Sequence, residues 1–179
     1  MKNEDWQKRA EAVRLLLLDV DGVLTDGGIL FDGEGREMKF FDAKDGHGIK
    51  MLQRGGVQVG ILSGRRSQTV RRRARELGIQ IVRQKVLDKV KGLEEILRKE
   101  KIPVEQICYV GDDLVDLPLF PLVGLAIAVA DAVEDVKARA HYVTRLPGGQ
   151  GAVREVCDLL LKAQGKWETV TQRYFAGFR

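Results

Sequence analysis

The segment Arg14-Leu15-Leu16-Leu17-Leu18-Asp19-Val20-Asp21-Gly22-Val23 joins an unbroken apolar run to two carboxylates two residues apart. The four leucines show neither alternation nor helical spacing, and a short apolar run ending at a glycine turn suits a parallel strand covered on both faces. Such a strand cannot take unpaired carboxylates into its buried length, because a charge removed from water needs a metal or a hydrogen-bond partner. Asp19 and Asp21 therefore belong at the carboxyl end of the strand, where open α/β sheets bind their ligands. Gly22 lets the chain turn away without placing a Cβ in the crevice. A lone Asp here would read as a turn or cap residue. Two at this spacing point to a reacting site and to phosphoryl transfer.

Outward from this strand, apolar strand patterns recur at 57–62, 79–82, 107–110, 125–129 and 142–144, with the first over 15–20. Helical patterns fall at 48–54, 66–77, 90–100, 114–121, 133–139 and 152–163. Strand and helix in turn predict an α/β fold, a mainly parallel sheet wound by right-handed crossovers with helices on both faces. One interruption stands out. Residues 28–41 hold two short β-type runs around Asp32-Gly33-Glu34-Gly35, a hairpin signal. The chain shows no repeat, no linker and no stretch long enough for a second domain, so a single domain over 1–179 is expected, with a tail from about 165. Whatever covers the site must then be the hairpin or another subunit.

Composition narrows the function classes. At 179 residues, with 44% hydrophobic and 31% charged residues, the chain has the make-up of a globular domain. A net charge of +4 and a pI near 9.1 suit an anionic substrate but are too slight and too dispersed to imply nucleic acid. The basic run Arg71-Arg72-Arg73-Ala74-Arg75 has no interleaved aromatics and reads as a solvated helix face. Cys108 and Cys157 lie in apolar patterns and read as buried thiols, not as a disulfide or a metal set. The first fourteen residues are charged, and the apolar run after them is too short for a signal sequence or a membrane span, which predicts a cytoplasmic protein without membrane partners.

Three further strand ends carry chemistry. Ser63-Gly64-Arg65 offers a hydroxyl, a flexible turn and a cation for phosphoryl oxygens. Gly111-Asp112-Asp113-Leu114-Val115-Asp116 adds carboxylates that, with Asp19 and Asp21, make the hard, all-oxygen ligand set that suits Mg²⁺. Asp88-Lys89 opens a helix between the third and fourth strands.

In this order the four segments resemble the motifs of the haloacid dehalogenase superfamily of phosphohydrolases, from about residue 15 to about 116. The resemblance implies a Rossmann-like three-layer fold. It implies Asp19 as the nucleophile that forms an aspartyl-phosphate, and Asp21 as the acid for the leaving oxygen and then the base for water. It implies Ser63 and Lys89 on the transferring phosphoryl group, and Mg²⁺ held by Asp19, the backbone carbonyl of Asp21 and Asp112. Asp113 and Asp116 would stand behind these as supports or lysine partners, with Asp113 taken as the nearer contact.

A closer resemblance runs through the segments that begin at Asp19, Phe41, Tyr109, Val129, Tyr142 and Gly148. They are similar to the capless family of 3-deoxy-D-manno-octulosonate 8-phosphate phosphatases, which act in lipopolysaccharide precursor synthesis. That family implies a homotetramer whose core is built from the hairpins and whose sites are completed by neighbouring subunits. It also implies substrate contacts at Asp21, Asp42, Ala43, Lys44, Asp45, Gly46, Lys50, Gly64, Arg65, Arg73 and Lys89. An arginine can grip the sugar acid's carboxylate through two parallel hydrogen bonds, whereas Lys44 or Lys50 would act as a point charge. Two segments depart from the family pattern: Asp42-Ala43-Lys44-Asp45-Gly46-His47-Gly48 replaces Asn-Val-Arg-Asp-Gly-Tyr-Gly, and Gln150 stands where Arg is common. Alternative readings are a phosphatase of a nine-carbon sugar acid and an inactive oligomerisation module of the same fold. Retention of Asp19, Asp21, Ser63, Lys89 and Asp112 argues against the second, since a scaffold has no need of that charge cluster. His47 reads as structural, His141 carries no functional expectation, and Trp167, Tyr174, Phe175 and Phe178 form an aromatic tail that either frays or reaches a neighbouring subunit.

Overall fold

A computed structural model describes residues 5–177 of the chain; Phe178 lies outside the described residues. The sheet strands are β1 (Leu15–Leu18), β4 (Gln58–Leu62), β5 (Ile81–Arg83), β6 (Ile107–Gly111), β7 (Leu125–Ala128) and β8 (Tyr142–Val143), all parallel, in the order β5-β4-β1-β6-β7-β8. The chain winds outward from β1 through β4 to β5, then returns to the far side of β1 for β6, β7 and β8. The winding direction therefore reverses at β1, and ligand crevices open at the carboxyl ends of strands at such reversals. Leu18 sits beside Ile61 on one side and Val110 on the other, so Asp19, Ser63 and Asp112 leave the sheet at one edge.

The four leucines of β1 are fully buried because helices cover both faces of the strand. The interlocked helices α1 (Asp5–Glu11), α2 (Ala43–Arg54) and α6 (Ala152–Ala163) lie on one side, with α3 (Gln68–Leu77) against α2. On the other side lie α4 (Lys89–Glu100), a 3₁₀ turn over Leu114–Leu119 and α5 (Glu134–Arg139). Among the described residues no helix is long and apolar enough to cross a membrane.

Several boundaries differ from the sequence expectation. Helix α2 begins at Ala43 and not at 48, because Asp42 caps it, accepting the N–H groups of Lys44 at 2.5 Å and Asp45 at 3.1 Å. The 114–121 pattern folds as a 3₁₀ turn interrupted by Pro118 instead of an α-helix. The segment ahead of β1, expected only to be charged, supplies α1. The tail is docked through α7 (Trp167–Thr171) and a 3₁₀ turn at Gln172–Tyr174; Arg54 donates to the Tyr174 hydroxyl at 2.7 Å and the His47 ring meets that of Tyr174 edge-on.

The hairpin is present as β2 (Leu30–Phe31) and β3 (Glu37–Met38), paired Leu30 to Met38 and Phe31 to Glu37. Its turn is tied by the Asp32 carboxylate, which accepts the N–H groups of Glu34 and Arg36. Because side chains alternate along a strand, Glu37 and Lys39 share one face, while Met38 and Phe40 share the other. Ile29, Leu30, Phe31, Met38 and Phe40 are all exposed, Phe40 at 76%.

Candidate active site

The carboxyl ends of β1, β4 and β6 bring four of the anticipated segments together. Asp19 is buried, with one oxygen 3.0 Å from the ammonium of Lys89 at the start of α4. Lys89 also forms a close ion pair with Asp116 and lies 3.0 Å from the Tyr109 hydroxyl, which in turn donates to Asp116 at 2.6 Å. The other oxygen of Asp116 accepts the backbone N–H groups of Asp112 at 2.9 Å and Asp113 at 3.3 Å. Every lone-pair direction of this wholly buried carboxylate is thus engaged, and it anchors both Lys89 and the backbone that carries Asp112. Asp113, by contrast, is exposed and caps the following turn. The nearer lysine contact is therefore Asp116 and not Asp113: the capping turn points residue 113 outward and residue 116 inward.

Asp19, Asp112 and Asp116 can place carboxylate oxygens within 4.8 Å of one another. When all three are ionised, the carboxylates exceed the one ammonium by two negative charges, the excess a divalent cation cancels. Burial pushes Asp19 up to about 6, with Lys89 opposing and Asp116 reinforcing the rise. Burial, then Asp116 and Asp19, push Asp112 up to about 8. For Lys89, burial works against the ammonium, but attraction to Asp19 and Asp116 outweighs it and the net shift is upward. One oxygen of Asp19 and one of Asp112 are buried without any hydrogen-bond donor. Buried carboxylate oxygens left bare are costly, and the two residues can bring carboxylate oxygens within 4.8 Å of one another, so the donor set fits a hard cation held by Asp19 and Asp112. Asp116, already saturated, is a support for that cation site instead of a ligand to it.

Backbone glycines set how closely these groups approach. A Cβ on Gly22, which has φ +85°, would lie 2.1 Å from an oxygen of Asp112, so that carboxylate rests directly against the Gly22 backbone. On the opposite side, a Cβ on Gly148 would lie 1.7 Å from the Gly22 carbonyl oxygen. Gly149 donates to the Val23 carbonyl at 2.9 Å, clamping the turn that carries Asp21, while Gly148 donates to Asp131 at 2.9 Å and so fixes the clamping segment itself.

The remaining anticipated residues divide. Ser63 is buried at the end of β4, and Gly64 lies between it and Arg65 at the rim. The Arg65 Nε is 3.6 Å from Asp21. Arg73 lies over the Phe41 ring, donates to the Asp42 carbonyl at 3.4 Å and rests on Gly46, where a Cβ would meet it at 2.2 Å. Ala43 and Lys44 are exposed on the first turn of α2, but the Asp45 side chain turns inward: one oxygen accepts the Arg154 N–H at 2.7 Å, and burial pushes the group up to about 6. Lys50 is not brought to the site. Its ammonium sits by Gly78 at the far end of α3, because Lys50 stands about two turns along α2 from the Asp42 cap.

A pattern for haloacid dehalogenase-like hydrolases matches residues 79–154. Over 94% of its length the chain is 46% identical to the 3-deoxy-D-manno-octulosonate 8-phosphate phosphatase KdsC of Yersinia pestis, covering 90% of that protein. The chain belongs to this phosphatase family. KdsC of Escherichia coli K12 is 49% identical over 88% of the chain and 84% of its own length. The fold superposes with a TM-score of 0.93 on the phosphatase of Moraxella catarrhalis, a structure in complex with magnesium, phosphate and KDO, at 38% identity over 96% of this chain and 99% of that one.

Within this member of the phosphatase family, Glu37, Lys39 and Tyr109 had escaped the sequence reading. Lys39 pairs closely with Asp21 and lies 3.4 Å from Glu37, which holds Arg65 at 2.5 Å. The alternation of residues 37–40 could have signalled the first two, since a charged pair at i and i+2 opposes an apolar pair. Tyr109 sits in an all-apolar strand, and a buried tyrosine hydroxyl seeks a partner.

Proposed function

We propose that the chain is a magnesium-dependent phosphomonoesterase that hydrolyses 3-deoxy-D-manno-octulosonate 8-phosphate to the free sugar acid and inorganic phosphate, in lipopolysaccharide precursor synthesis. The observation that carries this reading is the pair of bare, buried oxygens on Asp19 and Asp112, with the other Asp19 oxygen paired to a Lys89 pinned by Asp116.

In this reading Asp19 attacks phosphorus, the bond from phosphorus to the sugar oxygen breaks, and Asp21 gives that oxygen its proton. Water then attacks the aspartyl-phosphate, Asp21 takes the water's proton, and Asp19 and inorganic phosphate are released. Ser63 and Lys89 hold the phosphoryl oxygens; Lys89 is ready for this because Asp19, Asp116 and Tyr109 orient its ammonium in advance. Asp19, the Asp21 carbonyl and Asp112 would hold Mg²⁺, which supplies charge neutralisation for the transferring group. Arg65 and Arg73, with Lys44 and the backbone from Asp42 to Gly46, line the side from which the sugar acid would approach. Lys50 is left out of that set, and Asp45 contributes by capping α6.

The same reading includes one domain across 1–179, a cytoplasmic location and a homotetramer. The exposed apolar residues of the hairpin support the assembly, since a contiguous patch of this kind marks a contact surface. The test is release of phosphate from the eight-carbon and nine-carbon sugar acid phosphates by purified protein with Mg²⁺. Asp19→Asn is expected to keep the fold and lose turnover. Folded wild-type protein inert on both substrates would sink the reading.

A further inference from the structure

Lys39 stands on a two-stranded hairpin, where a lysine ordinarily keeps its ammonium in water. Here its side chain is only 1% exposed, and the ammonium is directed at one oxygen of Asp21, with Glu37 3.4 Å away. Arg65 Nε lies 3.6 Å from the other oxygen of Asp21, and Glu37 holds Arg65 at 2.5 Å. The strand that leads into Lys39 is tied to the body of the fold, because the Thr69 hydroxyl on α3 donates to the Glu37 carbonyl at 3.3 Å. Asp21 itself sits on the turn past β1, with its side chain 21% exposed. A carboxylate on a turn can adopt several rotamers, whereas proton transfer requires one of them.

We propose that Lys39 is a positioning residue for the reaction, fixing the Asp21 carboxylate in the orientation from which it protonates the departing sugar oxygen. Lys39 occupies Oδ1, whereas Arg65 Nε stands 3.6 Å from Oδ2, beyond hydrogen-bond distance, so Lys39 is the cation that holds the carboxylate directly. In the step concerned, the bond from Asp19 to phosphorus forms, the bond from phosphorus to the sugar oxygen breaks, and the Asp21 proton goes to that oxygen. An alkyl phosphate expels an alkoxide, which needs this proton; a nitrophenyl phosphate expels a stable phenolate, which does not. A residue that acts through the orientation of Asp21 therefore matters for the first substrate and little for the second. The inference rests on the phosphatase reading, in which Asp21 is the acid.

The experiment is single-turnover release of the leaving group by full-length wild type, Lys39→Met and Lys39→Arg. The substrates are the eight-carbon sugar acid phosphate, glycerol phosphate as a simple alkyl ester, and 4-nitrophenyl phosphate, and a crystal structure of Lys39→Met accompanies the kinetics. In Lys39→Met the expected result is alkoxide release slowed by about tenfold or more, nitrophenolate release slowed by less than about threefold, and KM unchanged for all three. Lys39→Arg should recover part of the alkyl rate, and Asp21 should leave its rotamer in the Lys39→Met crystal. Equal slowing of alkyl and aryl esters, a loss confined to KM, or an unmoved Asp21 with wild-type rates would each overturn the role. If Lys39→Met does not fold, the same selectivity is sought in Lys39→Arg. Wild type that cleaves glycerol phosphate and not the sugar acid phosphate would sink the substrate reading alone, with the comparison still decided on the simple ester.

Discussion

Binding of Mg²⁺ should expel a proton, because the cation needs Asp112 as a carboxylate and the cation-free site holds it as an acid. Burial and the neighbouring Asp116 and Asp19 raise Asp112 to about 8. Its protonated form therefore dominates below that pH and must ionise for binding. At pH 6.5 about thirty protonated sites exist for each ionised one, and at pH 8 about one, so apparent affinity should rise on the order of fifteenfold across this range. Asp19, raised to about 6, adds little above pH 6.5 and steepens the loss below it. The assay is isothermal titration of Mg²⁺ into cation-free protein, in buffers of different ionisation enthalpy. At pH 6.5 close to one proton should leave per Mg²⁺ bound, falling to about half at pH 8. The same raised value lets cation-free protein lose stability as pH climbs from about 4 through 8, since the folded state holds a proton that the unfolded chain has released. Added Mg²⁺ should flatten that slope. Affinity independent of pH with no proton release would refute the placement of Asp112 in the cation site.

Asp116→Asn should destabilise the fold by about 3 kcal/mol in urea titration, because Lys89 keeps a buried charge with a single carboxylate partner. Gly148→Ala forces a Cβ to 1.7 Å from the Gly22 carbonyl oxygen. It should weaken Mg²⁺ binding and turnover together, since Gly22 is what Asp112 rests against; wild-type Mg²⁺ affinity in a folded variant would contradict this. Phe40→Asp places a charge in the exposed apolar face of the hairpin and should shift sedimentation toward smaller species.

The four leucines of β1 made the parallel sheet legible, because a strand buried on both faces leaves an unbroken apolar run and little else does. The placement of Asp19, Ser63 and Asp112 at one edge followed from the same logic, as each closes such a run, whereas Lys89 opens a helix and only the family resemblance tied it to the site. Other features were out of reach. Asp116 against Asp113 is a question of where a 3₁₀ turn points each carboxylate, and both carry the same side chain. Lys50 shares a segment with the substrate-side residues, yet the Asp42 cap starts α2 early and two helical turns carry its ammonium to the far end of the fold. Glu37 and Lys39 lie in the hairpin segment without any motif of their own, and only the folding of that hairpin over the turn past β1 brings them to Asp21 and Arg65.

By itself, then, the sequence determined which chemical groups are present and which strand ends carry them, because burial patterns and hard-ligand chemistry are local properties of the chain. The tertiary structure alone decided partnership: that Asp116 holds Lys89, that Gly148 backs Gly22, and that a hairpin lysine reaches Asp21. Those contacts join residues 18 to 126 positions apart, and no local pattern encodes the distance between groups that meet only when the sheet winds back past β1.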